Sequence, residues 1–328
     1  MYAAITGVGS YLPPTVLTNE DLERMVDTTD EWIRARTGII RRRVVSDGET
    51  TSDLAARAAL SALADAGLAP EDLDLLILAT SSPDHIFPST AAVTQAKAGL
   101  SCPAYDVMAA CTGFVYGLVD AAAAIESGRA RRVLLVGADA MSRITDFTDR
   151  STCVLFGDGA GAVVLEASES AGVLGADLGA DGTGAQILSV PAGGAASPCS
   201  ESTVARREHF VRMNGNEVFR FAVRKVPETI RTALARSGIE LDDVTWVVPH
   251  QANERITATV ASNLGIPGER VVSTISETGN TSAASIPVAL DHLYTSGELS
   301  PDDVLVLVGF GAGLTWGAAV VRWTKETG

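Results

Sequence analysis

Val133-Leu-Leu-Val-Gly137 and Val304-Leu-Val-Leu-Val-Gly309 are two apolar runs whose closing glycines stand 172 residues apart. Short continuous apolar runs bounded by glycine read as strands buried on both faces. The elements before them repeat at nearly the same spacing. From Ala55 the chain passes through Ala-Gly-Leu-Ala-Pro-Glu-Asp-Leu to Leu75-Leu-Ile-Leu78, and from Ala222 through Arg-Ser-Gly-Ile-Glu-Leu-Asp-Asp-Val to Trp246-Val-Val248. Aligning Gly67 with Gly238 is a shift of 171, which also pairs Asp72 with Asp243 and Leu73 with Val244. Each copy reads as an amphipathic helix, a glycine stop, a short acidic turn and a buried strand. Each long strand is followed by a glycine-rich stretch read as a hairpin: Phe156-Gly-Asp-Gly-Ala-Gly161 before Ala162-Val-Val-Leu165, and Gly309-Phe-Gly-Ala-Gly313 before Ala318-Ala-Val-Val321. A shift kept over several elements marks a duplication. We therefore expect two similar halves of a layered α/β fold related by a pseudo-twofold axis, residues 1–170 and 171–328, with the boundary between Ser168 and Ala171.

The bulk properties agree with this division. A chain of 328 residues is long for one core and comfortable for two, and 46% hydrophobic with 20% charged residues is a globular composition. Only 25 Lys and Arg stand against 40 Asp and Glu, so a net charge of −15 argues against nucleic-acid binding. An anionic ligand would need a local basic pocket, for which Arg34, Arg36, Arg41, Arg42 and Arg43 are one source, a solvated charged surface being the plainer reading. The opening Met-Tyr-Ala-Ala-Ile-Thr-Gly-Val-Gly reads as a first strand and not as a signal peptide. The longest apolar stretch, Val107 to Val119, falls short of the ~20 residues of a membrane span, so a soluble cytoplasmic protein is expected. Cys102, Cys111, Cys153 and Cys199 lack metal-site spacing and are too few for a disulfide scaffold. Gly157, Gly159 and Gly161 form neither GxGxxG nor a Walker sequence, so they read as hairpin or packing glycines and no nucleotide-dependent step is expected.

Three sites carry candidate chemistry. Cys111, in Asp106-Val-Met-Ala-Ala-Cys111-Thr-Gly-Phe, precedes an Ala-rich helix, where unpaired N–H groups and the helix dipole would lower the thiol's pKa and suit a nucleophile; an inert buried cysteine is the alternative. His250, in Val-Pro-His-Gln-Ala-Asn-Glu-Arg255, directly follows a buried strand, at the kind of strand end where α/β proteins place function. Asn280, in Glu277-Thr-Gly-Asn-Thr-Ser-Ala-Ala-Ser285, stands 169 residues after Cys111, close to the repeat shift, and so reads as the second half's counterpart of Cys111, or as a plain helix cap.

The motifs Ala-Ala-Cys-Thr-Gly-Phe, His-Gln-Ala-Asn-Glu-Arg, Gly-Asn-Thr-Ser-Ala-Ala-Ser and Gly-Phe-Gly-Ala-Gly-Leu-Thr-Trp-Gly, with Asp27-Thr-Thr-Asp-Glu-Trp-Ile-Arg-Ala-Arg36-Thr-Gly-Ile near the start, resemble those of β-ketoacyl-acyl carrier protein synthase III over essentially the whole chain. This resemblance implies a thiolase-like α-β-α-β-α fold and an acyltransferase of the condensing type. Cys111 would take a primer acyl group from coenzyme A, and His250 with Asn280 would support decarboxylation of a malonyl-acyl carrier protein, giving a 3-oxoacyl product that initiates fatty-acid or polyketide synthesis. The oxyanion of the acyl transfer would be held by the backbone N–H groups of Cys111 and Ala312. No cofactor or metal is implied. Coenzyme A would lie along Trp32, Arg36, Arg150, Asn216, Phe219, Ala252 and Arg255, with Trp32 and Arg150 about the adenine. The carrier protein would dock on Arg220, Arg224, Lys225 and Arg255, although Ala261-Ser-Asn-Leu-Gly265 lacks lysines expected there. A homodimer is implied, in which Phe87 of Ile86-Phe87-Pro88 reaches the partner's acyl pocket.

Residue types separate the relatives of this fold. A degradative thiolase would carry a second cysteine between Gly309 and Gly317, and an elongating synthase a second histidine where Asn280 stands. Chalcone-type synthases share Cys, His and Asn, but the neighbouring motifs favour the bacterial type III pattern. Acyl transfer to a hydroxyl or amine without condensation remains an alternative, which Asn280 disfavours because simple transfer forms no enolate. A non-catalytic partner of a synthase complex would not need all three site residues.

Overall fold

The computed structural model describes residues 1–326. Strands β1 (Tyr2–Tyr11), β2 (Leu75–Ala79), β3 (Ala104–Val107), β4 (Arg132–Ala140) and β5 (Asp158–Ser168) form one sheet in the order β1-β5-β4-β2-β3. Strands β6 (Val173–Ala180), β7 (Trp246–Pro249), β8 (Val304–Gly311) and β9 (Thr315–Arg322) form the other in the order β6-β9-β8-β7. The orders match position for position, with β3 alone lacking a counterpart. In each sheet the central pair is antiparallel, with Gly137 opposite Gly161 and Gly309 opposite Gly317, and the next neighbour of β4 or β8 is parallel.

The principal helices are α1 (Thr51–Ala66), α2 (Gly113–Glu126), α3 (Gly215–Ser237), α4 (Glu254–Leu264) and α5 (Ser285–Thr295). Helices α1 and α3 cover the outer faces of the two sheets, and each ends on a glycine in the left-handed region, Gly67 at φ 67° and Gly238 at φ 64°. Helices α2 and α5 lie between the sheets and touch both, which completes five layers. Their burial explains their composition: Phe114, Val115, Leu118 and Ile125 of α2 and Ile286, Leu290 and Leu293 of α5 join Ile77 and Leu135 of one sheet and Val248 and Leu307 of the other in a single cluster. The halves thus share a core. Among the described residues no helix is long and apolar enough to cross a membrane.

Two expectations change. Gly159 and Gly161 lie inside β5, and residues 141–157 with the short helix Arg150–Cys153 separate it from β4, so only the second half has a tight glycine hairpin. Their packing role holds, since a Cβ on Gly161 would come within 2.7 Å of the Pro287 and Val288 backbone of α5. The arginine cluster also disperses. Arg34 pairs with Asp30 at 2.7 Å and Arg41 with Glu277 at 3.0 Å. Arg42 is fully buried, bonded to Asn19 Oδ1 and Val154 O at 2.8 Å and Leu17 O at 3.3 Å, and burial brings its guanidinium down to about 10. Of the five, Arg36 stays exposed beside Trp32.

The halves approach closely at Gly137, where a Cβ would sit 2.3 Å from the carbonyl oxygen of Ala283. Gly137→Ala is expected to destabilise the protein by about 1–3 kcal/mol in denaturant unfolding, and to depress activity further by displacing the loop that carries Asn280.

Candidate active site

Residues Ala110–Thr112 form a single 3-10 turn leading into α2, entered through Ala110 at φ 48°. The second half repeats this device: Ser282, at φ 51°, enters the turn Ser282–Ala284 that leads into α5. The two left-handed residues are 172 apart, as are the starts of α2 and α5. Ala283, and not Asn280, therefore occupies the place of Cys111, and Asn280 corresponds to Met108. The register is set by the turn, which a comparison of residue types does not see. Gly311 of β8 lies against the turn that bears Cys111; a Cβ there would be 2.9 Å from the Cys111 nitrogen.

His250 follows β7, its N–H bonded to Val308 O at 2.7 Å. Gln251 fixes the strand end by donating to Pro249 O at 2.7 Å and Val272 O at 3.2 Å and accepting from the Thr274 N–H at 3.0 Å. The buried imidazole places Nδ1 2.6 Å from Ser285 Oγ, an oxygen that also accepts the Gln251 N–H at 3.3 Å. Burial pushes His250 down to about 3, so the ring is neutral near pH 7. With the Ser285 hydroxyl donating to Nδ1, the ring proton resides on Nε2.

Asn280 is held by its backbone to Leu155 O at 2.9 Å and the Gly157 N–H at 3.0 Å. Its side-chain oxygen accepts the Ser282 N–H at 2.9 Å, which leaves the amide NH₂ as a donor. Cys111, His250 and Asn280 line one cavity of about 110 Å³ with Phe219, Ala252 and Phe310. Cys111 also borders a second cavity of about 410 Å³, walled by Met108, Met141, Ile144, Val190 and Val211, with Ala312 beside it. The thiol stands where a polar-ended slot meets an apolar chamber.

The expected lowering of the thiol's pKa is not met. Burial pushes Cys111 up to about 12, the Ser282 hydroxyl opposes this, and Asp139 adds to it. The sulfur has exchanged water for apolar contacts, and that loss of solvation outweighs the nearby helix end.

The other predicted residues fall into groups. Arg150 lies 5.0 Å and Arg36 5.9 Å from the Trp32 ring centre, and Arg255 lies 6.0 Å from that of Phe219. The Asn253 side chain donates to Arg36 O at 3.0 Å and joins these two groups. Asn216 is exposed on the first turn of α3. Arg220, Arg224 and Arg255 are exposed, whereas Lys225 is half-buried, 2.8 Å from Glu228 and 4.7 Å over the Trp316 ring. Phe87 is 84% exposed. Sequence reasoning missed Ser282, Ser285, Gln251 and Asp139; the first three sit inside motifs already singled out, but small polar residues have no spacing that announces a partner. Among the described residues no group of three or more His, Cys, Asp or Glu is placed to hold a metal ion.

Models of 3-oxoacyl-[acyl-carrier-protein] synthase III match residues 105–182, and models of its C-terminal part match residues 234–323. The chain is 50% identical over 324 residues to a beta-ketoacyl-[acyl-carrier-protein] synthase III of Desulfitobacterium hafniense, covering 98% of each. It resembles the crystal structure of a 3-oxoacyl-(acyl carrier protein) synthase III from Pseudomonas aeruginosa PAO1 with a TM-score of 0.92 and 46% identity, covering 100% of both chains. The priming beta-ketosynthase of the R1128 polyketide biosynthetic pathway also superposes at a TM-score of 0.92, with 35% identity over 99% of this chain and 97% of that one. With its duplicated thiolase fold and likeness over nearly its full length, the chain belongs to the 3-oxoacyl-[acyl-carrier-protein] synthase III family.

Proposed function

We propose that this chain joins an acyl group from coenzyme A to a malonyl-acyl carrier protein by decarboxylative Claisen condensation, starting a fatty-acid or polyketide chain. The observation that carries this reading is the convergence of Cys111, His250 and Asn280 on one cavity, with His250 Nδ1 and Asn280 Oδ1 already engaged. His250 then has its Nε2–H to give, and Asn280 its NH₂. The Cys111 sulfur attacks the primer carbonyl, the oxyanion is held by the Cys111 and Ala312 N–H groups, and the thiol proton leaves on coenzyme A. Breaking the malonyl carboxyl bond then sends its electron pair toward the thioester oxygen, where His250 Nε2–H and Asn280 Nδ2–H stabilise the enolate. The enolate carbon attacks acyl-Cys111, and the sulfur departs with the electron pair of the broken thioester bond. Transfer without condensation has no use for this pair of donors. No cofactor or metal enters these steps.

Placement supports the remaining assignments. Trp32, with Arg150 and Arg36 near its ring, suits adenine; Phe219 and Ala252 line the cavity that reaches Cys111, with Arg255 beside Phe219 and Asn216 on the first turn of α3. Arg220, Arg224 and Arg255 offer an acidic carrier protein a basic face on a chain of net charge −15, with Lys225 held back by Glu228. The four cysteines are free, as suits the cytoplasm. A second copy of the chain would cover Ile86, Phe87, Tyr105 and Met108, which are exposed around the free edge of β3. The loop bearing Phe87 is tied to that strand by the Thr90 and Ala91 N–H groups on Asp106, at 2.7 and 2.6 Å. Phe87 would then enter the partner's apolar chamber and limit primer size.

Three outcomes test this reading. Asn280→Ala should keep most of its acylation by acyl-CoA yet lose decarboxylation and ketoacyl product together by about 10²–10³-fold, whereas Cys111→Ser should lose acylation; condensation at the wild-type rate in Asn280→Ala would remove the enolate role. The neutral His250 predicts a sign for stability. Its folded value of about 3 lies below the ordinary 6.5, so the unfolded chain binds a proton that the folded chain refuses, and stability falls as pH drops from 6.5 toward 3. Melting curves over that range should be steeper in pH for the wild type than for His250→Asn. Sedimentation should give a dimer, and Phe87→Ala should widen the range of accepted primers; a stable active monomer would overturn the assembly.

A further inference from the structure

Four serine and threonine side chains and one carboxylate lie behind Cys111, and the condensation scheme uses none of them. The Cys111 sulfur is 3.4 Å from Ser282 Oγ, and Ser282 Oγ is 3.1 Å from Ser81 Oγ. Both serines are held through backbone by Asp139: Oδ1 accepts the Ser81 N–H at 2.7 Å, and Oδ2 accepts the N–H of Ala283, the residue after Ser282, at 3.0 Å. Thr80 and Ser82 hydroxyls complete the shell of Oδ1 at 3.0 and 2.7 Å. Ser282 itself is buried and sits at φ 51°, a conformation that disfavours non-glycine residues. It keeps a side chain there, at the position where the first half has Ala110, and that side chain ends on the nucleophile.

We infer that Ser282 is a further catalytic residue, whose hydroxyl donates a hydrogen bond to the Cys111 thiolate as the thioester is attacked, with Ser81 donating in turn to Ser282. This rests on the reading of Cys111 as the acylated nucleophile. In the resting thiol the sulfur and Ser282 Oγ share a hydrogen bond in which either can donate. When the S–C bond to the acyl group forms, the thiol proton is carried off by the departing coenzyme A sulfur, and the serine hydroxyl turns to the sulfur for as long as it bears charge. The Cys111 N–H also lowers the thiol, and Ser282 Oγ is the side-chain atom within hydrogen-bond distance of the sulfur. Asp139 on β4 raises the thiol and His250 beyond β7 is neutral, so neither brings a positive charge to it. A chain of two hydroxyls polarises in one direction and strengthens the last bond.

The test follows the rate of Cys111 alkylation by iodoacetamide as a titration between pH 6 and 10, where the rate of a thiol pushed up to about 12 tracks its small thiolate fraction, reading the Cys111 peptide by mass spectrometry because the exposed Cys199 reacts too. Ser282→Gly removes the hydroxyl and relieves the left-handed backbone, Ser282→Ala removes it without that relief, and Ser81→Ala removes the second hydroxyl while leaving the turn intact. The expected result is alkylation slower by about tenfold or more at each pH for both Ser282 variants, the slowing that a rise of about 1–2 pH units in the thiol produces, and a smaller slowing for Ser81→Ala. A titration that stays at the wild-type value in the folded Ser282 variants overturns the proposal, even if acylation slows; should both variants fail to fold, an unshifted Ser81→Ala overturns it. Alkylation needs neither acyl-CoA nor carrier protein, so absence of an acyl adduct on Cys111 would remove the condensing reading while leaving this titration intact.

Discussion

The carboxylate of Asp139 is the tie on which the site depends. It is fully buried on β4 in the first half, yet one of its oxygens accepts the Ala283 N–H from the second. Burying a carboxylate is costly unless its oxygens are fully bonded, and here the Ser81 and Ser82 N–H groups, the Thr80 and Ser82 hydroxyls and Ala283 meet that need. Burial still holds the acid above its ordinary range. The same bonds fix the strand end at Ser81 and the loop at Ser282 relative to each other, and between them sits Cys111. Asp158 plays a parallel part on β5, accepting from Ser142 and from the Val45 N–H at 2.8 Å, and so ties the segment around Val45 to the sheet.

The charges are arranged with economy. At the reacting centre the groups rest neutral: a thiol, an imidazole and an amide, oriented by Ser282, Ser285 and backbone before any substrate arrives. Preorganised neutral donors need not be desolvated as ions, and they gain strength only when negative charge develops beside them. The cations stand outside, at Trp32 and along α3 and α4, where water solvates them and anionic partners can reach them. Arg42 is the exception, a buried cation spent on holding Asn19 and the Val154 carbonyl, and it joins the segments that carry Trp32 and Arg150.

Much of this was readable from the chain. Gly67 and Gly238 stop two helices, and the strands that carry Gly137 and Gly309 hold the same place in their sheets, because burial on both faces demands continuous apolar residues and leaves a strong imprint. Cys111, His250 and Asn280 were legible for a different reason: they follow strand ends or precede helices, where backbone geometry is set locally. Less legible were the partners. Ser285 reaches His250 across 35 residues and Ser282 reaches Cys111 across 171, contacts that no local spacing encodes. The glycines of β5 looked like a hairpin because glycine serves both turns and close packing, and only the neighbouring Pro287 distinguishes the two.

By itself, then, the sequence determined the duplication and the alternation of strands and helices and singled out three candidate site residues, since each depends on periodicity or on the chemistry of a residue at an element's end. The tertiary structure alone decided that Ala283 stands where Cys111 does, that the thiol is raised and not lowered, and that Arg42 is buried while Arg36 remains at the surface. Register between the halves, loss of solvation and the fate of a cation all depend on what lies across the fold, and a side chain's distant neighbours exist only after the two sheets have closed on α2 and α5.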